Sequence, residues 1–472
     1  MGFATEEVAA GLIDYLRASP SPFHAVASSV RLLAAAGFTG VTPSAALPTT
    51  PGRYYLARGG ALVAWSTEHD PAPTAGFRVV GAHTDSPNLR IKPQPDVVRA
   101  GFRQLGVEVY GGPMLNSWLD RDLGLSGRVS VRAAALPGGG LAATADGDGH
   151  DGRDAAPAVR LPVDRSAPAG VATVLVQFDE PLLRVAQLAI HLDRSVNTDG
   201  VKLDAQRHLS PIWGLEQPAD GRGFVAFLAE RIGVDPGDVL AFDIMTHDVQ
   251  PPARIGAQRE FIAGGRMDNL ATSLSGTRAL IEAASTWPGP GTASSPVPLL
   301  VLFDHEEVGS VSERGAASTL LPTALERIVL SRGGGREDFH RAMAATIVAS
   351  GDMAHATHPN YADKHEPEHR IAIDGGPVLK VNNQLRYATG APGAAAFALA
   401  CEQAGVPMQR FVMRSDLPCG STVGPIMAAR TGCETVDFGA AMLSMHSARE
   451  LVGADDQARY AAALAAFLAP AV

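Results

Sequence analysis

Apolar positions along the chain fall into two rhythms, one of helical period and one of short uninterrupted runs. Val8, Leu12, Tyr15 and Leu16 recur at helical spacing behind Thr5-Glu6-Glu7, and Pro20 and Pro22 end that helix. A second helix is expected from Phe23 to Ala36, with Val26, Val30 and Leu33 on one side and Gly37 as its stop. Strands are expected at Tyr54 to Leu56, Ala61 to Ser66 and Phe77 to Ala82. Later, Leu299 to Phe303 is apolar at every position, as a parallel strand buried on both faces would be. Ala345 to Ser350, Val378 to Asn382, Phe411 to Met413 and Thr435 to Phe438 supply further strands. Between them lie helices carrying Leu270, Leu274, Thr277 and Ile281, then Ala391 to Glu402, and last Tyr460, Leu464 and Leu468. The alternation predicts an α/β fold: a central mixed, largely parallel sheet flanked by helices.

From about Lys92 to Arg254 the helical rhythm gives way to short β-like runs, Val107 to Tyr110, Gly127 to Ala133 and Val171 to Phe178. Residues 92–254 therefore read as an inserted β-rich domain, and residues 1–91 with 255–472 as one discontinuous α/β domain. Pro137 to Ala156, rich in Gly, Asp and Ala, is expected to loop out. Leu188-Ala189-Ile190-His191-Leu192 reads as an apolar strand, with His191 a satisfied core histidine.

A length of 472 residues supports this two-part reading. A net charge of -10 without any basic cluster argues against nucleic acid and anionic membrane surfaces as partners. Three cysteines, Cys401, Cys419 and Cys433, have no metal-type spacing and fit a reducing cytosol. Neither a signal peptide at Met1 to Val8 nor a membrane-span-length apolar run is read, so a cytoplasmic protein is expected.

Chemistry concentrates just past the predicted strands, where open α/β sheets keep their ligands. Leu299 to Phe303 delivers Asp304, Glu306 and Glu307. Adjacent glutamates just past a buried strand are expected not to point the same way, so one can bind a metal while the other holds a water's proton. Phe77 to Ala82 delivers His83-Thr84-Asp85, in which the imidazole can ligate and the carboxylate can brace the site. Asp268 stands at or near a helix N-terminus, where it could equally be a cap. Asp352 and His355 follow Ala345 to Ser350, and His446 follows the last strand. His83, Asp268, Glu307, Asp352 and His446 are thus expected around the ends of one sheet. Two histidines and three carboxylates are the inventory of a two-metal hydrolase, with ions ~3.5–4 Å apart. Imidazole and oxygen donors suit zinc, with cobalt or manganese as alternatives.

The same segments resemble the M18 metallopeptidases, the aspartyl aminopeptidases among the dinuclear zinc exopeptidases. The matching motifs are His83-Thr84-Asp85-Ser86-Pro87, Gly265-Arg266-Met267-Asp268-Asn269, Asp304-His305-Glu306-Glu307-Val308-Gly309, Asp352 through Tyr361, and Met445-His446-Ser447. The resemblance implies that Asp268 bridges two divalent metals, with His83, Glu307, Asp352 and His446 as terminal ligands. It implies Glu306 as general base and His355, Lys380 and Tyr387 as lining the substrate pocket. It also implies that His191 reaches a neighbouring subunit's active site, which reverses the core reading above. Tetrahedral dodecamers assembled through the inserted domain are expected. His305 differs from many relatives and is expected to touch the site only indirectly.

The expected substrates are peptides with a free N-terminus, preferably beginning with Asp or Glu. Glu306 and Asp352 offer a negative surface to the α-amino group, and Lys380 a positive charge to an acidic side chain. A neutral or broad preference, or a non-catalytic assembly scaffold, are the competing readings; Glu306 beside a full ligand set speaks against the scaffold.

Overall fold

The computed structural model describes residues 3–136, 169–216, 223–286 and 295–471. These fall into two compact units, Met1–Ser86 with Pro252–Met445 and Glu450–Val472, and Pro87–Pro251 with His446–Arg449. The expected loop from Pro137 to Ala156 lies outside the described residues.

The first unit is built on a nine-stranded mixed sheet. At its centre Val297–Phe303, Phe77–His83, Ile347–Gly351 and Glu434–Gly439 run parallel, while Ala61–Ser66 and Val378–Val381 join on either side antiparallel. Strand alternation sends neighbouring side chains to opposite faces, and both faces are covered. Leu300 and Leu302, with Val80 and Ala82, enter one core beside Leu12, Leu33, Leu274, Leu280 and Tyr460. Leu299, Val301 and Phe303, with Val79, enter the other beside Leu321, Leu325, Ile328 and Met427. Thr5–Ala18, Pro22–Ala35, Met267–Thr286 and Ala454–Leu468 supply the first layer of helices; Leu320–Ser331, Arg336–Ala344 and Val423–Thr431 supply the second. At roughly 1.5–3 kcal/mol for each large side chain buried, these two cores dominate the unit's stability.

Parallel register has a direct consequence for chemistry. Phe303 pairs with His83, and Ser350 pairs with Gly81, so the residues after Phe303 and Gly351 emerge beside His83.

A second, five-stranded sheet in this unit contains Phe261–Gly264, Glu450–Gly453, Ala441–Leu443 and Ala354–His355. The expectation that every candidate ligand follows a strand of one sheet is therefore corrected: Asp268 follows Phe261–Gly264, in the second sheet. A four-residue strand has too few apolar positions to declare which sheet it joins.

The second unit is a closed six-stranded barrel of Val239–Asp248, Asn88–Arg99, Phe102–Tyr110, Ile212–Leu215, Val171–Arg184 and Asp122–Arg132. Its interior holds Leu89, Leu105, Leu125, Val129, Val174 and Val176, together with Phe224 and Leu228 of the helix Phe224–Ile232. Residues 188–192 are not a strand, as their apolar pattern suggested. They form a turn in which Leu188, Ile190 and Leu192 are exposed, at 57%, 45% and 75%. Apolar content alone cannot distinguish a buried strand from a surface segment that hides nothing within its own unit. Among the described residues no helix is long and apolar enough to cross a membrane.

Candidate metal centre

His83 ends its strand almost completely buried. Its Nδ1 lies 2.9 Å from the Asp85 carbonyl, to which it donates, and this orients the ring with Nε2 facing the carboxylates. Nε2 stands 3.4 Å from Asp268 Oδ1 and 3.7 Å from Asp352 Oδ1. The Asp85 carboxylate accepts the backbone N–H groups of Glu306 and Glu307 at 3.0 and 3.1 Å. One residue therefore ties the loop after one parallel strand to the loop after its neighbour.

Glu306 and Glu307 do not point apart. His305 takes a left-handed conformation, φ 67°, and Glu306–Val308 is a single 3₁₀ turn. Consecutive side chains on such a turn are only about 120° apart, since it has 3.0 residues per turn. Ligand atoms of Glu306, Glu307 and His83 accordingly lie within 4.8 Å of one another, and so do those of His83, Asp268 and Asp352. The expectation that the two glutamates could not point the same way is corrected: both reach the space beside His83. Behind this turn Arg314 Nε stands 3.2 Å from the buried Asp304 carboxylate, and Arg314 also donates to His305 Nε2. His305 in turn meets Ser312 Oγ through Nδ1 at 2.8 Å.

Asp268 is held by its backbone. The N–H groups of Met267 and Asp268 donate to Glu450 Oε2, Ser86 Oγ donates to the Asp268 carbonyl at 2.7 Å, and Asn269 Nδ2 donates to the Gly351 carbonyl at 2.8 Å. Residues 268 and 269 are outside helical geometry, and the peptide bond between them is cis. Asp268 thus stands at the head of the helix without capping it in the ordinary way.

The electrostatics describe a pocket short of positive charge. Burial opposes protonation of His83, but Asp268, Asp352 and Asp85 outweigh it and hold the imidazole well above its ordinary range. Burial pushes the Glu306 carboxyl up to about 8; the imidazole of His83 pulls it down, and the Asp352, Asp85 and Asp268 carboxylates push it further up. A divalent cation answers both conditions. The spacing fits one: zinc with ligands at about 2.0–2.2 Å in a tetrahedron separates its donor atoms by ~3.3–3.6 Å. The 3.4 and 3.7 Å gaps around His83 Nε2 match that separation and are long for direct hydrogen bonds.

Beside Asp352 lies one buried cation. Lys380, on Val378–Val381, is 2% exposed; its Nζ is 3.7 Å from Asp352 Oδ2 and 5.3 Å from the centre of the Tyr387 ring. Burial and a hydrogen bond with Cys419 raise the Tyr387 hydroxyl well above its ordinary range, so it stays protonated. Phe411 touches Tyr387 at 6.4 Å between ring centres and the exposed His355 at 6.1 Å.

A sequence profile described as "Aminopeptidase I zinc metalloprotease (M18)" matches residues 15–141 and 160–468. The chain belongs to the M18 aminopeptidases. It is 50% identical over 459 residues, 97% of each chain, to a "Probable M18 family aminopeptidase 2" of Streptomyces coelicolor. It is similar in fold to the chain in a cryo-EM structure of the Ape4 and Nbr1 complex, with a TM-score of 0.85, 33% identity, and 98% of this chain and 86% of that one covered. An S. cerevisiae mApe1 dodecamer shares the fold at 24% identity and a TM-score of 0.78, covering 98% and 96%. As an M18 enzyme the protein is a metallo-aminopeptidase, a hydrolase of a zinc metalloprotease family.

Of the residues singled out in the sequence of this M18 aminopeptidase, the first unit brings together His83, Asp268, Glu306, Glu307, Asp352, Lys380 and Tyr387. His355 joins them through Phe411. His446 belongs to the second unit, where its Nδ1 donates to the Gly112 carbonyl at 2.9 Å and so leaves Nε2 as the basic nitrogen. His191 is an exposed residue of that unit. Glu450 escaped notice because its partners lie more than 180 positions away and no motif spacing marks it. Asp85 was visible in the His-x-Asp pattern, but as a brace for ligands in general; the two amide groups it holds were not.

Proposed function

We propose that the enzyme binds two divalent metal ions, zinc by the family it belongs to, and removes N-terminal Asp or Glu from peptides. His83, Asp268, Glu307 and Asp352 would hold the ions, and His446 would complete the set on its sequence motif alone. When bound, such ions polarise the scissile carbonyl and acidify a water molecule. Glu306 is the residue without a needed ligand role, and it takes the proton from the attacking water. As the new C–O bond forms and the C–N bond breaks, it passes that proton to the departing amine. Asp352 and Glu306 face the α-amino group, and the family resemblance gives His355 and Tyr387 contacts to the substrate and His191 a role in a neighbouring subunit's site. A homo-oligomer, a dodecamer as the mApe1 neighbour's description has it, is supported by that likeness, and assembly is assigned to the barrel unit. The reducing character of three unpaired cysteines supports a cytoplasmic location.

The observation that carries the acidic preference is Lys380. A buried ammonium beneath an aromatic ring is costly unless an anion meets it; Asp352 would serve a metal, the buried Asp437 acts on Lys380 through its charge while accepting from Thr422 and the Ala388 N–H, and a substrate carboxylate would add a direct partner. Hydrolysis of matched Asp-, Glu- and Leu-chromogenic amides by metal-replete and chelated protein tests the reading. Chelator-sensitive cleavage favouring Asp or Glu, falling about 100-fold or more for Asp in Lys380→Met while Leu cleavage holds, is expected. Cleavage favouring Leu would keep the metal mechanism and remove the acidic preference.

A further inference from the structure

Within the first unit a cavity of about 270 Å³ opens beside His355, with Phe411, Met413 and Met442 among its apolar lining and the partly exposed Leu417 at its rim. Its charged neighbours are already occupied. Arg414 binds both oxygens of Asp416 at 2.8 and 2.6 Å and also donates to the Asp363 carbonyl. His365 Nε2 accepts the His358 N–H at 3.0 Å, and His358 Nδ1 accepts the Asn360 N–H at 3.2 Å. Glu366 accepts from His369, and Lys364, 3.9 Å from Asp363, is 66% exposed, so what the cavity chiefly offers a ligand is its apolar side.

Phe411 places this cavity relative to the site. It is paired with Lys380 across adjacent strands, so both side chains stand on one face of the sheet. One part of its ring meets Tyr387, which covers Lys380; another meets His355 at the cavity mouth. His355 is three residues beyond Asp352, at most ~11 Å of extended chain, and a peptide advances by no more than ~3.6 Å per residue. A peptide whose first side chain lies on Lys380 has its second residue within reach of Phe411, whose ring also lines the cavity.

We propose that this cavity is a second specificity pocket, which takes a large aliphatic or aromatic side chain at the residue whose amine is released. The proposal rests on the aminopeptidase reading with Lys380 under the first side chain. It makes the preferred substrates peptides that begin with an acid followed by an apolar residue. Discrimination by an apolar pocket of this kind is worth about 10- to 200-fold.

The test uses the dipeptides Asp-Phe, Asp-Leu, Asp-Ala and Leu-Ala with full-length, metal-replete enzyme. Asp-Phe and Asp-Leu are expected to exceed Asp-Ala at least tenfold in kcat/KM. Leu417, 36% exposed at the rim, can be enlarged without disturbing a core. Leu417→Trp should bring Asp-Phe down to the level of Asp-Ala, with Asp-Ala unchanged within twofold. Rates for all three Asp dipeptides within threefold of one another, or an equal loss on every substrate in Leu417→Trp, would overturn the pocket. Failure of the first-residue reading looks different: Leu-Ala then matches Asp-Ala while the second-residue dependence is read independently. Should no dipeptide be cleaved, calorimetric binding to Glu306→Gln decides, with tenfold tighter Asp-Phe than Asp-Ala supporting the pocket and equal affinities refuting it.

Discussion

The carboxyl edge of the parallel strands and the wall of the barrel both set charged side chains on strands of Val and Leu, yet they handle the charge in opposite ways. On the barrel, Arg184 meets Asp122 at 2.5 Å, Arg128 meets Asp243 at 2.6 Å, and every one of these side chains remains partly exposed. Each acid has its own cation and its own share of water. At the parallel edge, Asp85, Asp268 and Asp352 are buried around His83 with the carboxylates of Glu306 and Glu307 close by, and among the described residues the His83 imidazole and Lys380, beside Asp352, are the positive groups set against them. Evenly matched charge is the signature of a surface; a buried surplus of one sign is tolerated where something else brings the other sign. The contrast separates an edge whose charge calls for a cation from a barrel wall whose charges are already matched.

Removing Asp268 should break the contrast most severely. Asp268→Ala is expected to lose metal, measured by elemental analysis after dialysis, and activity by a thousandfold or more. Glu306→Gln should keep its metal and still lose about 10²- to 10⁴-fold in kcat. Normal turnover by Glu306→Gln would refute its assignment as the base.

Asp456 sharpens the comparison, because it is a buried acid with no part in the metal pocket. Its two oxygens accept the N–H groups of Asp374 and Gly376. Burial nevertheless pushes its carboxyl from 3.8 up to about 7. A carboxyl raised in the folded state binds its proton more tightly there than in the unfolded chain. The stability it contributes is complete below about pH 4 and is lost as the pH rises through about 7. Asp456→Asn should therefore gain stability relative to the parent between pH 4 and pH 8, as read from denaturant unfolding at each pH. A relative loss over that range would mean that the backbone donors outweigh burial.

The smallest effect belongs to the barrel. Arg184→Ala should cost at most about 1 kcal/mol in unfolding free energy and leave the kcat of the metal-replete enzyme unchanged, because both partners are half exposed. A cost several times larger would show that the barrel's charges are not a solvated surface.

Much of this was readable in the sequence because parallel strands buried on two faces leave long apolar runs, and their ends mark the site. Leu299 to Phe303 and the acids after it are the clearest case. The 3₁₀ turn that lets Glu306 and Glu307 converge depends on the left-handed His305 and on Asp85 across the sheet, neither of which leaves a periodic trace. The second sheet was hidden for a similar reason, since strands such as Ala354–His355 are too short to carry a pattern. Residues 188–192 misled in the other direction: their composition is that of a core strand, and their exposed leucines and isoleucine show that hydrophobicity records what a segment can bury, not where.

The hydrogen bonds from Glu306 and Glu307 to Asp85 join residues 221 and 222 positions apart, and Ser86 reaches Asp268 across 182. No stretch of nascent chain can hold the site before residue 352 has been made and the parallel strands have paired. The unfolded polypeptide, with its ligands scattered, competes poorly for metal, so an ion bound to the finished pocket stabilises only the folded state and deepens its free-energy well by mass action. Metal supply thus acts on the lifetime of the folded enzyme as well as on its rate.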